Sequence, residues 1–558
     1  MKSRSNLIIA WLKSHAGLCI VLFFLAVHLS TINAYGFTWD FHFHFFGGGK
    51  LLGFEPKQLE PRNLPFVEPD PRNAWTLPYG AIMSIPPVAS YLWLSQTTHM
   101  LPPDSAYHLP IVLWGIFGIA VTFLFLKEAV SRKTAIYGAL FIALTPRYFG
   151  DLHNNMKDVP SAVVFAVNIW AIWRLMRHKR LIDLALAVLA FAVAFNVKVN
   201  SIFIPIVFAV WFIALLLQQR PVHIPPQSRR PLLYLIFAPI AAFLLWWVFW
   251  PNPIGQLGHA FMTFGIGTNN IEVLLNGSWY CSGSTVPWYY PFWYLAITTP
   301  IPILMLFCIG MTTAVYTSVM AWRQKAHTPL YPLYTLLLLW VFLPLTRYFI
   351  PTIGVIDGIR HFEEVLFPIA ILAAIGLNQI GTATKRSGIP TLIGMITLLS
   401  MAVAVYTYHP YQIAYFNEFV GGAKGAFGKY DLDYWGTSQK EAILWVNDHA
   451  PQNAKIHIVM AAAVAGQYLR PDLIPNLNKY GYDESDFVIL LNRQSFLYRF
   501  FYAYEYLLHH KPTHTIDISG APLTWIYDNR TDNRTPRQTP WWKNEDPCII
   551  RYWRGEHR

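Results

Sequence analysis

Apolar runs of helical length recur along this 558-residue chain, separated by short polar and often basic stretches. They lie near residues 16–34, 109–126, 134–148, 159–176, 181–197, 202–217, 232–250, 292–320, 330–345, 365–377 and 389–406. About 20 helical residues cross the hydrocarbon core of a bilayer, so the shorter runs must extend into their flanks. The pattern predicts about eleven transmembrane helices in a predominantly α, polytopic bundle. After residue 406 the spacing changes. Residues 409–558 are polar and turn-rich, with β-like runs at 455–460, 487–491, 515–518 and 523–527 and helix-like stretches between. They predict a small α/β domain, dividing the chain into 1–408 and 409–558.

Charge sets the topology. Basic clusters fall in every second loop: Lys127/Arg132/Lys133, Arg174–Arg180, Arg220/Arg229/Arg230, Arg323/Lys325 and Lys385/Arg386. The positive-inside rule makes that side the cytoplasm, with the N-terminus on it and the C-terminal domain outside. The stretch 79–100 is apolar but contains Pro86–Pro87. If it spanned, every later basic cluster would face outward, so it is expected to lie along or dip into the outer surface. The outward parts are then 35–108, 145–158, 251–291 and 347–360, joined by the link 196–201. The first run follows Lys2, Arg4 and Lys13 without a convincing small-residue cleavage site, and reads as an uncleaved helix in a cell inner membrane.

Only 13% of the residues are charged and 54% are apolar, which leaves most of the chain facing lipid. The net charge of +12 sits between apolar runs rather than on one face, and this argues against nucleic acid. The four cysteines have no metal-ligand spacing; Cys281 and Cys548 fall on one side, where a pair and two thiols are equally compatible with the sequence.

The outward loops hold the chemistry. Asp40, in Thr38-Trp39-Asp40-Phe41-His42-Phe43-His44, sits at the lipid–water boundary, where partial desolvation suits a carboxylate to proton abstraction. The simpler reading is a cap for a helix starting at Phe41. His42 and His44 are two apart and do not converge on a helix, which makes a metal the weaker choice. The second loop packs Arg147, Asp151, His153, Asn154, Asn155, Lys157 and Asp158 between two apolar helices. Asp158 can cap the following helix; the remaining density fits an anionic or sugar-like ligand. Lys198 is equally readable as a snorkelling lysine or a phosphate ligand. Arg360 and His361 lie at a helix start, where the dipole disfavours a cation unless it faces an anion.

At these residues the chain resembles the GT-C superfamily of membrane glycosyltransferases, in the family-39-like branch of protein O-mannosyltransferases and bacterial aminoarabinose transferases. The resemblance is carried by Trp39-Asp40 after the first helix and by the second loop from Pro146-Arg147-Tyr148-Phe149 to Asn155-Met156-Lys157-Asp158-Val159-Pro160. Asp357-Gly358-Ile359-Arg360-His361-Phe362 and the later His409-Pro410-Tyr411-Gln412, Tyr415-Phe416-Asn417-Glu418 and Asp433-Tyr434-Trp435-Gly436 complete it. Phe41 stands where many members carry a second acid, and Met156 where proline is common. The resemblance implies a GT-C fold and an inverting transfer of a sugar from a polyprenyl-phosphate-linked donor to an extracytoplasmic acceptor, whether protein, lipid or glycan. Asp40 would be the base, and Arg147, Lys157, Lys198 and Arg360 would bind the donor phosphate. His153, Asn155, Asp158 and His361 would contact sugar or acceptor. Membrane lipid is the remaining partner, and a divalent metal ion is optional. A transporter or flippase of a lipid-linked glycan is the rival reading, but the polar groups lie in loops rather than at helix centres and no two-half symmetry is visible.

Overall fold

In a computed structural model, the structure describes residues 14–54, 81–154, 156–218, 229–324, 329–386, 388–497, 499–539 and 548. Each apolar run contains a helix: Ala16–Thr31, Pro103–Ala129, Arg132–Ala143, Asp158–His178, Leu181–Val197, Phe203–Gln218, Arg229–Leu245, Ile301–Gln324, Tyr331–Phe342, Leu366–Thr384 and Gly388–Thr407. Among the described residues, eight helices are long and apolar enough to cross a membrane, and two apolar helices, in 181–197 and 230–245, are shorter. This is a multi-pass, predominantly helical membrane protein.

Two helices form the centre. In Asp158–His178 and in the span Glu363–Thr384, 78% and 72% of the most apolar stretch is buried, against 17% in Ala16–Ala34 and 22% in Ile301–Gln324. The peripheral helices turn residues such as Phe23, Met305 and Leu399 outward, as lipid-facing surfaces require. Both central helices begin at the same end of the bundle, directly after the motifs around Lys157 and Arg360.

Several boundaries depart from the hydropathy reading. The run 292–320 is two helices, Tyr290–Thr298 and Ile301–Gln324. Pro300 has no N–H to continue the ladder, and Thr299 before it is extended. The freed carbonyls of Ala296 and Thr299 accept from Asn417 Nδ2. Proline at 146 likewise restarts the chain as the short helix Pro146–Asp151. Residues 103–108, expected in a loop, form the first turns of Pro103–Ala129. In the described part of 79–100, the single turn Ala81–Met83 precedes one short helix in which Ile85–Ser90 (α) runs directly into Tyr91–Thr97 (π), well under the roughly 20 residues a crossing needs.

The outward part 251–291 holds a helix, Pro253–Ile266, and a hairpin of β1 (Glu272–Leu275) with β2 (Ser278–Cys281) turning at Asn276–Gly277. All four expected β runs near the C-terminus are strands: β3 (Ile456–Val459), β4 (Phe487–Leu491), β5 (His514–Ile518) and β6 (Ala521–Asp528). They form one sheet in the order β3-β4-β6-β5, parallel only between β3 and β4. All four cysteines are free thiols.

A close helix crossing brings Gly310 of Ile301–Gln324 against Gly376 of Leu366–Thr384. A Cβ on Gly310 would overlap the Leu372 carbonyl, and one on Gly376 the Leu306 carbonyl. Small residues allow this approach between membrane helices. Gly376→Ala is expected to cost about 1–3 kcal/mol, read as earlier thermal unfolding in detergent, whereas Gly388→Ala, which meets open space, is expected to cost much less.

Candidate functional site

Asp40, Lys157/Asp158, Lys198 and 357–360 meet where the two central helices begin. Arg360 is the hub. Its Nη2 donates to Asp40 Oδ2 at 3.1 Å, its Nη1 to Asp357 Oδ2 at 2.8 Å, and its Nε lies 3.6 Å from Asp158 Oδ2. The guanidinium carbon lies over the Trp435 ring, 4.3 Å from its centroid. Lys198 Nζ completes Asp158 at 2.8 Å and donates to the Arg360 carbonyl at 3.3 Å. Arg493, from the loop after β4, closes Asp357 Oδ1 at 2.7 Å and lies over Phe496 and Trp39.

Exposure ranks the three carboxylates. The Asp40 side chain is 35% exposed, against 6% for Asp158 and 2% for Asp357. Asp40 is therefore the acid a ligand can reach. It stands at the N-cap position of Phe41–Leu51 but makes no capping hydrogen bond. The capping expectation is thus overturned, and for Asp158 too: it opens Asp158–His178 with its carboxylate turned to Lys198 and Arg360 instead of the helix N–H groups. In both cases a nearby cation offers a charged partner, which outweighs a local cap.

The segment carrying Asp40 is pinned by the C-terminal residues. Phe37 N–H donates to Tyr468 Oη at 2.6 Å and Trp39 N–H to the Trp435 carbonyl at 2.9 Å. Tyr468 in turn donates to the buried Asp104, which also takes Lys440 at 2.7 Å.

The other expected residues divide. Lys157 is buried within the field of Asp40 and Asp158; burial draws its ammonium down to about 7, and those two acids hold the proton on against that cost. Burial also opposes charge on Arg360, but Asp40, Asp158 and Asp357 more than offset it and bind its proton more firmly than usual. His361 is buried beside the cluster, and burial followed by the fields of Arg360, Lys198 and Arg347 keeps its ring neutral. Arg147 is fully buried and braces the late segment, donating to the Tyr415 carbonyl and Tyr434 Oη, both at 3.3 Å. His153 is taken away from the hub, 3.0 Å from His28 and stacked on Tyr35 at 3.7 Å. Asp151 accepts from Asn154 Nδ2 at 2.8 Å, and burial pushes its carboxyl up to about 6. Asn155 lies outside the described residues. His42 reaches Gln467, and no group of three or more His, Cys, Asp or Glu among the described residues is arranged for a metal ion. The donor set at the hub fits one poorly, since both oxygens of Asp158 and of Asp357 already face cations.

Asp357, Trp435 and Arg493 were not among the expected contacts. The first two fall inside quoted motifs, so a signal existed; Arg493 has no motif around it.

The fold and this cluster define a polytopic membrane protein with a buried ionic site at one end of its helices. Over residues 84–250 the chain matches the family model described as dolichyl-phosphate-mannose-protein mannosyltransferase. With the motifs around Asp40, Lys157 and Arg360, this makes it similar to the GT-C membrane glycosyltransferases. No curated protein matches it. Among solved structures it is similar to ArnT from Cupriavidus metallidurans bound to undecaprenyl phosphate, at 12% identity and TM-score 0.44, over 96% of this chain and 100% of that one. For the apo state of the same protein the values are 12% and 0.46, over 92% and 99%. The oligosaccharyltransferase AglB from Archaeoglobus fulgidus, with an inhibitory peptide and a dolichol-phosphate, aligns at 10% and 0.41, over 86% and 70%.

Removing one partner of a buried ion pair strands the other charge. Arg493→Met is expected to destabilise the protein by about 3–5 kcal/mol, and adding Asp357→Asn to recover part of that loss, measured as thermal unfolding of single and double variants.

Proposed function

We propose that this chain is an integral-membrane glycosyltransferase that moves a sugar from a polyprenyl-phosphate-linked donor to an acceptor at the outer face of a bacterial inner membrane. In this reading the N-terminus is cytoplasmic, residues 1–408 form the catalytic membrane domain, and 409–558 lie outside. The observation that carries it is Asp40, the one open carboxylate of three gathered on Arg360. The family-model match over 84–250 supports the same class.

Asp40 accepts the proton of the acceptor hydroxyl or amine as that group attacks the anomeric carbon. The new bond forms on one face of the sugar while the bond to the phosphate oxygen breaks on the other, and the configuration inverts. Charge then grows on the leaving phosphate. Arg360 and Lys157 are the cations assigned to it, helped by the N-terminal ends of Asp158–His178 and Leu366–Thr384, whose dipoles favour an anion. Lys198 and Arg147 are engaged by Asp158 and by residues 415–434, so they hold the site in shape. Asp158 and His361 line its inner wall.

Two outcomes test this. A general base contributes roughly 10²–10⁴-fold, so Asp40→Asn should lower transfer from a labelled polyprenyl-phospho-sugar by at least that range while the protein still folds and inserts. Unchanged transfer removes the base. The second concerns Lys157. A base whose pKa is lowered to about 7 loses its charge above that value, whereas an ordinary lysine keeps it to above 10. The donor phosphodiester holds a fixed charge in this range. Donor affinity should therefore fall as pH rises from about 7 to 9, and Lys157→Arg should flatten that slope. Equal slopes in the two proteins would take Lys157 off the phosphate.

A further inference from the structure

At the opposite end of the bundle, a cavity of about 460 Å³ opens between Arg132–Ala143, Leu366–Thr384 and Gly388–Thr407. The helix Leu366–Thr384 starts beside Arg360 and runs 19 residues, roughly 28 Å, to reach it, so the cavity belongs to the other membrane face. Its mouth carries Lys133 and Lys385 with Thr134, Asn378 and Thr382; its inner wall is Ala374, Leu377 and Pro390. Leu392, Met395 and Ile396, on the last of these helices, are more than half exposed and continue the apolar surface beside it.

The cations here differ from those of the neighbouring basic loop. There, Arg174 pairs with Glu128 and Asp183, and His178 with Glu128, so two acids offset part of that cluster's charge from within. Among the described residues, Lys133, Lys385 and the adjacent Arg132 and Arg386 have no acidic partner. Positive charge needed only to set topology would line any inner loop. Here it flanks a pocket with a polar mouth and an apolar wall. That combination fits a ligand with an anionic head and acyl chains.

We propose that this cavity binds the phosphate headgroup of an anionic phospholipid of the inner leaflet, with Lys133 and Lys385 on the phosphate and the acyl chains along the helix Gly388–Thr407. Basic pockets between membrane helices on the cytoplasmic side hold such headgroups, and each lysine near an anionic lipid surface contributes about fivefold in affinity. The proposal stands independently of the reaction at the other face.

The full-length protein, purified in detergent, is titrated with short-chain phosphatidylglycerol, short-chain phosphatidylcholine and inorganic phosphate, with bound lipid counted by native mass spectrometry. Phosphatidylglycerol is expected to bind at least tenfold more tightly than phosphatidylcholine. Lys133→Gln and Lys385→Gln are each expected to weaken it roughly fivefold, Arg323→Gln on another inner loop to leave it unchanged, and the double Lys→Arg variant to retain it. Equal binding of the two lipids, or equal loss in the Arg323 variant, overturns the proposal. So does inorganic phosphate that displaces the lipid at comparable concentration, since the site would then belong to a soluble anion. Both lysines are exposed, so folding should survive their replacement; if either variant unfolds, the lipid comparison on the unaltered protein decides.

Discussion

A guanidinium set among three carboxylates is the constraint on which the rest of this structure turns. Each charge taken from water costs several kcal/mol, and only close, complementary partners return that cost. Arg360 reaches Asp40, Asp158 and Asp357; Lys198 and Arg493 take the carboxylate oxygens that Arg360 leaves. No member can be buried without the others, yet they come from five regions of the chain. The cluster therefore fixes how the first outward segment, the central helices and the residues after β4 sit against one another.

The fold meets that demand with rigid elements. Both central helices start at the cluster, so the positions of Asp158 and of the 357–365 turn are set by the best-packed part of the bundle. Asp40 is delivered differently, on a segment fastened by Tyr468, Trp435 and, through Asp104, Lys440. The polar C-terminal region thus contributes to the geometry of a membrane site. In the proposed transfer, a fixed carboxylate with one open side, backed by buried cations, would let proton removal and phosphate departure proceed with little rearrangement.

The hydrophobic pattern carried most of the architecture: eleven helical runs, the polar tail and its four strands follow from periodicity and length. The motif residues Asp40, Lys157, Asp158 and Arg360 were also legible, together with their convergence on one face. Local reasoning failed where a distant partner outcompeted a near one. Asp40 and Asp158 look like helix caps in sequence, but a cation from elsewhere binds each more strongly than a backbone N–H. Lys198 is ambiguous until Asp158, forty positions earlier, is placed beside it. Arg360 suggested a phosphate because a bare cation at a helix start needs an anion; the protein supplies three. His153 was assigned to sugar or acceptor by resemblance, and in the turn after Pro146–Asp151 its ring meets His28 rather than the Arg360 cluster. Arg493 could not be found, since nothing in its neighbours marks a residue that pairs across 136 positions.

The most direct measurement is a cryo-electron microscopy map of the protein in lipid nanodiscs with a polyprenyl phosphate. The account predicts the phosphate at the open side of Asp40, within roughly 3–4 Å of Arg360 or Lys157, with the isoprenoid chain leaving between helices. A phosphate seated away from Asp40, with the Arg360 cluster untouched, would contradict it.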